Sequence, residues 1–362
     1  MKILHTSDWH LGQKFLYNDR EEEHRRALAW LIDTIKAEQI DGLLVAGDIF
    51  DISNPPNYAR RLYYNFLTQL LRTNCQHIVI TGGNHDSPAM LDAPRELLAA
   101  LRVHVVGAAT ERIEDELIEW RDEAGELQAV IAAVPFLRDS DLRYSVAGES
   151  GYARVERVRA GILQHYQTLG EAMQQYPDVP RIATGHLYVK NAYASDKQDN
   201  IYIGDKENIE ARQFPEVFDY VALGHIHRAQ AIAGEERVRY SGSLIPLSFS
   251  ETQDDKSVYV LDFQKNKLKN IETIAVPTFR RLKTVEGTLR EVEEALQRFD
   301  DKGGRELTPW VEVIVHTDKI IPQLDVHLQE FTRDMNLELL KIRLNRRHIA
   351  IDGQTEETDL MS

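Results

Sequence analysis

Apolar runs of four or five residues recur along the chain before position 225, and five of them break off into the same kind of ending. Gly42 to Ala46 (Gly-Leu-Leu-Val-Ala) runs into Gly47-Asp48-Ile49-Phe50-Asp51. Lys2 to Thr6 leads to Ser7-Asp8-Trp9-His10, and His77 to Thr81 leads to Gly82-Gly83-Asn84-His85-Asp86. Arg181 to Thr184 ends in Gly185-His186, and Tyr220 to Leu223 ends in Gly224-His225-Ile226-His227. Short apolar runs closed by glycine read as buried strands of a parallel sheet. Side chains just past the carboxyl ends of such strands lie along one rim, where open α/β sheets gather ligands.

Between these strands the period changes to that of helices. Asn18 to Arg26 opens a helix with acids in its first turn and Leu28, Leu31, Ile32 and Ile35 on one face, a β-α-β crossover. A helix over Tyr58–Arg72 carries an aromatic stripe (Tyr58, Leu62, Tyr63, Phe66, Leu67, Leu70), which reads either as core or as a self-association face. A further helix over 90–101 is followed by a strand at Val103–Val106, a hairpin within Glu114–Pro135, and a long helix over Ala153–Tyr176 stopped by Pro177 and Pro180. Phe136, Arg138 and Arg143 are available at the rim's edge, and the polar stretch Lys190–Asp205 reads as a loop over the site.

Short strands follow at 230–232, 238–241, 258–263 and 268–275, which turns a doubly wound sheet into a two-sheet α/β sandwich. Pro277 marks a boundary. Beyond it, strand, helix, strand, helix, strand (280–285, 289–299, 310–316, 321–335, 337–344) compose a smaller α/β domain. The expected division is 1–277, 278–350, and an acidic polar tail, 351–362, that forms no element and looks cut short.

Composition narrows the class. The chain has 362 residues, 43% of them apolar, with no apolar run long enough for a membrane span, and, since its first residues enter a strand pattern directly, no signal peptide is expected. Its lone cysteine, Cys75, excludes an intrachain disulfide or thiolate cluster, fits a reducing cytoplasm, and is read as packing. A net charge of −15 argues against indiscriminate nucleic-acid binding. Basic residues still cluster locally at Arg25-Arg26, Arg60-Arg61, Arg280-Arg281 with Lys283, and Lys341 to His348.

The five endings supply seven ligand candidates, Asp8, His10, Asp48, Asn84, His186, His225 and His227. Seven are too many for one ion and suit two that share a bridging carboxylate; nitrogen and oxygen donors without thiolate suit manganese, iron or zinc better than calcium. The most specific segment is Gly-His-x-His, since imidazoles at i and i+2 of a strand point the same way. Asp51 could accept a hydrogen bond from His85, or could cap the following loop. His5 reads as core or as support for the site, and the remaining histidines as packing or surface.

These five blocks resemble the calcineurin-like metallophosphoesterases. Within them, His-Thr-Ser-Asp-Trp-His-Leu-Gly, Ala-Gly-Asp-Ile-Phe-Asp, Gly-Asn-His-Asp-Ser-Pro and Gly-His-Ile-His followed by Tyr240-Ser241-Gly242-Ser243 resemble the SbcD family of nuclease subunits. The resemblance implies one metal at Asp8, His10 and His227, another at Asn84, His186 and His225, and Asp48 bridging. It also implies that His85 touches substrate, that the metals are manganese, and that the smaller domain caps DNA. Activity would be 3′ to 5′ exonuclease on duplexes and endonuclease on single strands or hairpins, with ATP-driven gating supplied by an SbcC-type ATPase. A homodimer through helices 58–72 and 90–101 is expected. The alternatives are a phosphatase or phosphodiesterase on another substrate, and a metal-bound DNA-end scaffold that does not cut.

Overall fold

A computed structural model describes residues 1–142, 150–194, 209–232, 234–300, 307–318, 321–345 and 357–359. The chain divides into two compact units, the first made of Met1–Lys14, Asp19–Ile245 and Asp255–Pro277. The second takes Thr278–Ser362 together with two excursions, Phe15–Asn18 and Pro246–Asp254, that the expected boundary at 277 did not include.

The first unit is the two-sheet α/β sandwich that the strand pattern predicts. One six-stranded sheet runs Lys267–Ala275, Ser257–Gln264, Lys2–Thr6, Gly42–Ala46, His77–Thr81, Val103–Val106, its last four strands parallel. The other runs Gln230–Ile232, Glu235–Tyr240, Tyr220–Gly224, Arg181–His186, Leu127–Ala132, Leu117–Arg121, with parallel pairing at its centre and antiparallel edges. Alternation along the strands builds two cores. Ile182, Tyr220 and Ala222 meet Ile3, Leu44 and Val79 between the sheets, while Ala183, Val221 and Leu223 turn outward to Ile162, Tyr166 and Leu169 of the helix Gly151–Met173. Each fully buried Ile, Leu or Val side chain among them contributes about 1.5–3 kcal/mol. Cys75 is free and buried, in keeping with packing.

One helical alternative is decided and one helical expectation changes. The aromatic stripe lies on Asn57–Leu70, and its Leu62, Tyr63, Phe66, Leu67 and Leu70 are buried within the chain, so the stripe is core. Phe66 meets Trp9 edge-on at 5.0 Å and Tyr63 meets Phe50 at 5.5 Å, so this helix backs the loops that follow the first two sheet strands. In place of one helix over 90–101 there are two short ones, Pro88–Asp92 and Arg95–Ala99, with Pro94 between them denying the backbone N–H that continuity needs. Among the described residues, no helix is long and apolar enough to cross a membrane.

The second unit has its own sheet, Arg280–Gly287, Leu307–His316, Glu338–Asn345 and Glu357–Asp359, the first three parallel and the last antiparallel. The fourth strand corrects the expectation that 351–362 forms no element. Leu289–Phe299 begins with a capping box between Thr288 and Glu291 and, with Leu324–Thr332, covers a core of Val292, Leu296, Val311, Val313 and Leu328. Phe15 and Phe249 from the two excursions pack with Trp310, the Phe15 ring 4.9 Å from Phe249 and 5.4 Å from Trp310.

Candidate metal centre

All five strand exits meet on one rim of the first unit. The backbone there is contorted to aim side chains inward: Asp8, His10, Asp48 and His225 all take positive φ, between 45° and 97°, a conformation that L-residues adopt rarely and that concentrates at functional sites. Close approach of the two sheets requires glycine twice. A Cβ on Gly47 would overlap the His186 ring, and one on Gly224 would overlap the Ala46 carbonyl.

The donors converge. Asp8, His10 and His227 place ligand atoms within 4.8 Å of one another, as do Asp8, Asp48 and His186, and His10, Asp51 and His85. Asp48 Oδ2 lies 3.5 Å from His10 Nε2 and 3.2 Å from His186 Nε2, so one carboxylate faces both halves of the cluster. Asn84 Oδ1 lies 3.0 Å from His186 Nε2 and 3.2 Å from His225 Nδ1. The His225 N–H donates to Asp8 Oδ1 at 2.9 Å, which ties the first strand exit to the last. His186 donates Nδ1–H to the Ala46 carbonyl at 3.0 Å, which turns Nε2 toward Asp48 and Asn84.

The residues fit divalent cations on two observations. His10 Nε2 is buried and has no hydrogen-bond partner among the described residues, while its Nδ1–H donates to Asp51 Oδ1 at 3.0 Å, so an imidazole lone pair points into the cluster. The charge balance points the same way. Burial alone would lower the His10 imidazole, but the Asp51 hydrogen bond and the charges of Asp48, Asp51 and Asp8 raise it to about 9. His186 is likewise raised to about 9, against its burial, by Asp48 and Asp8. Burial would raise the Asp48 carboxyl, but His186, His10 and His85 hold it well below its ordinary range. The carboxylates thus draw protons onto neighbouring imidazoles, as expected where protons and a cation compete for the same donors. His225 goes the other way: burial and His186 push it down to about 3, leaving it neutral, the form in which an imidazole can ligate a metal.

One expected pairing comes out differently. Asp51 receives the His85 ring, but through its backbone: His85 Nδ1–H donates to the Asp51 carbonyl at 2.7 Å, while the Asp51 carboxylate holds His10. At the edge, the Phe136 ring stands 6.4 Å from His186 and Arg138 is exposed; Arg143 and residues 195–205 of the expected loop lie outside the described residues.

Other supporting groups had weak or no sequence signal. His5, mid-strand, accepts from the Tyr220 hydroxyl at 3.0 Å and donates to the Leu223 carbonyl at 3.2 Å, joining the strands that lead to Asp8 and His225. Buried Lys256 donates to the His227 carbonyl at 2.8 Å and to Ser243 Oγ at 2.9 Å. Ser241 donates to Ser7 Oγ, which in turn donates to Asp8 Oδ2. The Tyr240-to-Ser243 segment carried the first hint of that shell, and Lys256 carried none.

Comparison with known proteins supplies the family. Residues 1–229 match the family model described as calcineurin-like phosphoesterase, and residues 278–361 match one described as type 5 capsule protein repressor C-terminal domain. The chain is 39% identical over 369 residues to the D subunit of the SbcCD nuclease of Escherichia coli (strain K12), an alignment covering 99% of this chain and 89% of that one. It is 35% identical over 374 residues to the D subunit of the SbcCD nuclease of Rhodobacter capsulatus, covering 99% and 91%. With the corresponding D subunit of Bacillus subtilis (strain 168) it shares 31% over 334 residues, covering 90% and 82%.

Proposed function

The chain belongs to the family of SbcCD nuclease D subunits within the calcineurin-like phosphoesterases, and from that premise we propose that it is a two-metal DNA nuclease that uses manganese. The observation that carries the reading is Asp48, one buried carboxylate facing His10 on one side and His186 on the other. Asp8, His10 and His227 would hold one ion, Asn84, His186 and His225 the other, and Asp48 would be shared. When bound, the ions supply Lewis-acid activation of the phosphodiester and of the attacking water.

The chain's own groups do the rest. The Asp51 carboxylate fixes the His10 tautomer, leaving Nε2 to face the cation. The Asp51 carbonyl fixes His85 in turn: a carbonyl only accepts, so Nδ1 carries the hydrogen and Nε2 is left for substrate. The His85 side chain lies at the exposed lip of the cluster, where in its imidazolium form it would donate Nε2–H to the oxygen on which charge grows or which departs.

Duplex 3′ to 5′ exonuclease activity, endonuclease activity on single strands and hairpins, work beside an SbcC-type ATPase and a cytoplasmic setting are parts of the same proposal, as are the nuclease role of the first unit and the DNA-capping role of the second. Of the basic cluster at Lys341 to His348, Arg343 pairs with Glu312 at 3.1 Å, and residues 346–348 lie outside the described residues. A homodimer remains part of the proposal with a smaller face than the sequence suggested: with the aromatic stripe buried, Tyr64, Leu71, Leu97 and Leu101 are exposed apolar side chains of that region.

The test is incubation with Mn²⁺ and an end-labelled duplex beside a phosphomonoester dye. Release of nucleotides is the expected result. Dye turnover without nucleotide release would make the protein a phosphatase, and the absence of both would make it a scaffold.

A further inference from the structure

Asp86 closes the Gly-Asn-His-Asp segment and is not among the groups assigned to metal or substrate, yet it is only 3% exposed and both its carboxylate oxygens accept hydrogen bonds. Oδ1 accepts from the Phe50 N–H at 2.9 Å; Oδ2 accepts from the Ile49 N–H at 3.1 Å and the Gly83 N–H at 2.9 Å. Two of these donors belong to the loop that carries Asp48, and the third to the loop that carries Asn84 and His85. The clasp is returned from the other side, since Asp48 Oδ1 accepts from the His85 N–H at 2.9 Å and the Asp51 carbonyl accepts from His85 Nδ1–H.

The Asp48 loop is also tied to the first strand exit. His10 N–H donates to the Asp48 carbonyl at 3.0 Å and Leu11 N–H to the Ile49 carbonyl at 2.9 Å. A shift at Ile49 therefore moves Asp48 and the backbone of His10 together. Ile49 and Phe50 are buried, so water cannot replace the carboxylate as acceptor for their N–H groups, and a buried donor left unpaired is costly. Gly83 packs so closely on Asp48 that no Cβ fits between them, so the two loops are in direct contact there.

We propose that Asp86 is the positioning residue of the metal pair: by clasping the Asp48 loop to the Asn84–His85 loop it sets the spacing at which two ions share Asp48, while touching neither ion nor substrate. The role rests on the two-metal reading of the site and extends it to a residue outside the ligand set.

The test is calorimetric Mn²⁺ titration of the metal-stripped full chain, with electron paramagnetic resonance of the loaded protein and far-UV circular dichroism. Wild-type protein takes two ions per chain and gives the multiline signal of a coupled pair. Asp86→Asn turns one acceptor oxygen into an amide that faces an N–H. It is expected to keep the wild-type dichroism, to bind the weaker ion about 10- to 100-fold less tightly, and to lose the coupled signal. The Mn²⁺ midpoint for DNA cleavage moves by the same factor while KM for DNA stays as in wild type. A folded Asp86→Asn with both wild-type affinities and an intact coupled signal overturns the positioning role and leaves the two-metal reading standing. Wild-type protein that takes fewer than two ions overturns that reading, and the role with it. If Asp86→Asn does not fold, Asp86→Glu, which keeps both acceptor oxygens on a longer stem, is measured the same way; a weakened second ion is expected, and wild-type values overturn the role.

Discussion

His85 and Asp51 are neighbours at the lip of the candidate metal centre, and the proposed function gives them different parts. The His85 ring is anchored through Nδ1 by a hydrogen bond to a backbone carbonyl, not to a ligand side chain, so its removal is expected to spare the cations. His85→Gln should bind two Mn²⁺ per chain as wild type does and cleave DNA about 10²- to 10⁴-fold more slowly, the usual cost of losing a general acid. Loss of an ion from that variant would move His85 into the ligand set. Asp51→Asn is expected to do the reverse. Its side chain orients His10, so the ion held by His10 should weaken by about 10- to 100-fold, as calorimetry would read, with cleavage restored in excess Mn²⁺. Nothing in the spacing of Asp48, Asp51 and His85 distinguishes a carboxylate contact from a carbonyl contact three positions beyond Asp48. The backbone takes a left-handed turn at Asp48, which leaves no mark in the pattern of residue types.

At the scale of elements, the strand exits were legible because a strand buried on both faces needs an unbroken apolar run, and the turn beyond it needs glycine where the sheets nearly touch. The helix over 57–70 was legible as an element but not in its partner, since the same stripe suits a neighbouring helix or a second subunit; Trp9 and Phe50 settle it from loops with no helical period of their own. Glu357–Asp359 was not legible, because Glu-Thr-Asp has neither alternation nor apolar bulk, and the strand exists by pairing with Arg343–Asn345. The inter-sheet contact yields its own prediction. Gly224→Ala pushes a methyl group into the Ala46 carbonyl and should cost about 1–3 kcal/mol of overpacking, seen as a lower urea midpoint with an unchanged m-value. Cleavage should fall with it, because His225 is the next residue. A midpoint equal to wild type would mean the sheets part there without penalty.

For the molecule as a whole, the two-metal proposal sets metal and protons in competition for one cluster. With folded-state values near 9 against 6.5 when unfolded, His10 and His186 stabilise the metal-free protein below about pH 6.5, and this contribution is lost as pH rises through 9. His5 and His225, pushed down to about 3, act on the acid side, where the unfolded chain takes up protons that the fold refuses. The thermal midpoint of chelator-stripped protein should therefore fall between pH 6.5 and 9, and added Mn²⁺ should raise it with the logarithm of its concentration. Apparent Mn²⁺ affinity should climb by up to about tenfold per pH unit for each proton displaced; an affinity flat across that interval would contradict the charge balance described above. The threading of the smaller unit through three separate stretches has a practical result. Because Phe15 and Phe249 pack on Trp310, a truncation at Pro277 strands two aromatic rings on the remaining fragment, and a chimaera between relatives keeps this cluster matched only if residues 15–18 and 246–254 are exchanged along with the C-terminal cassette.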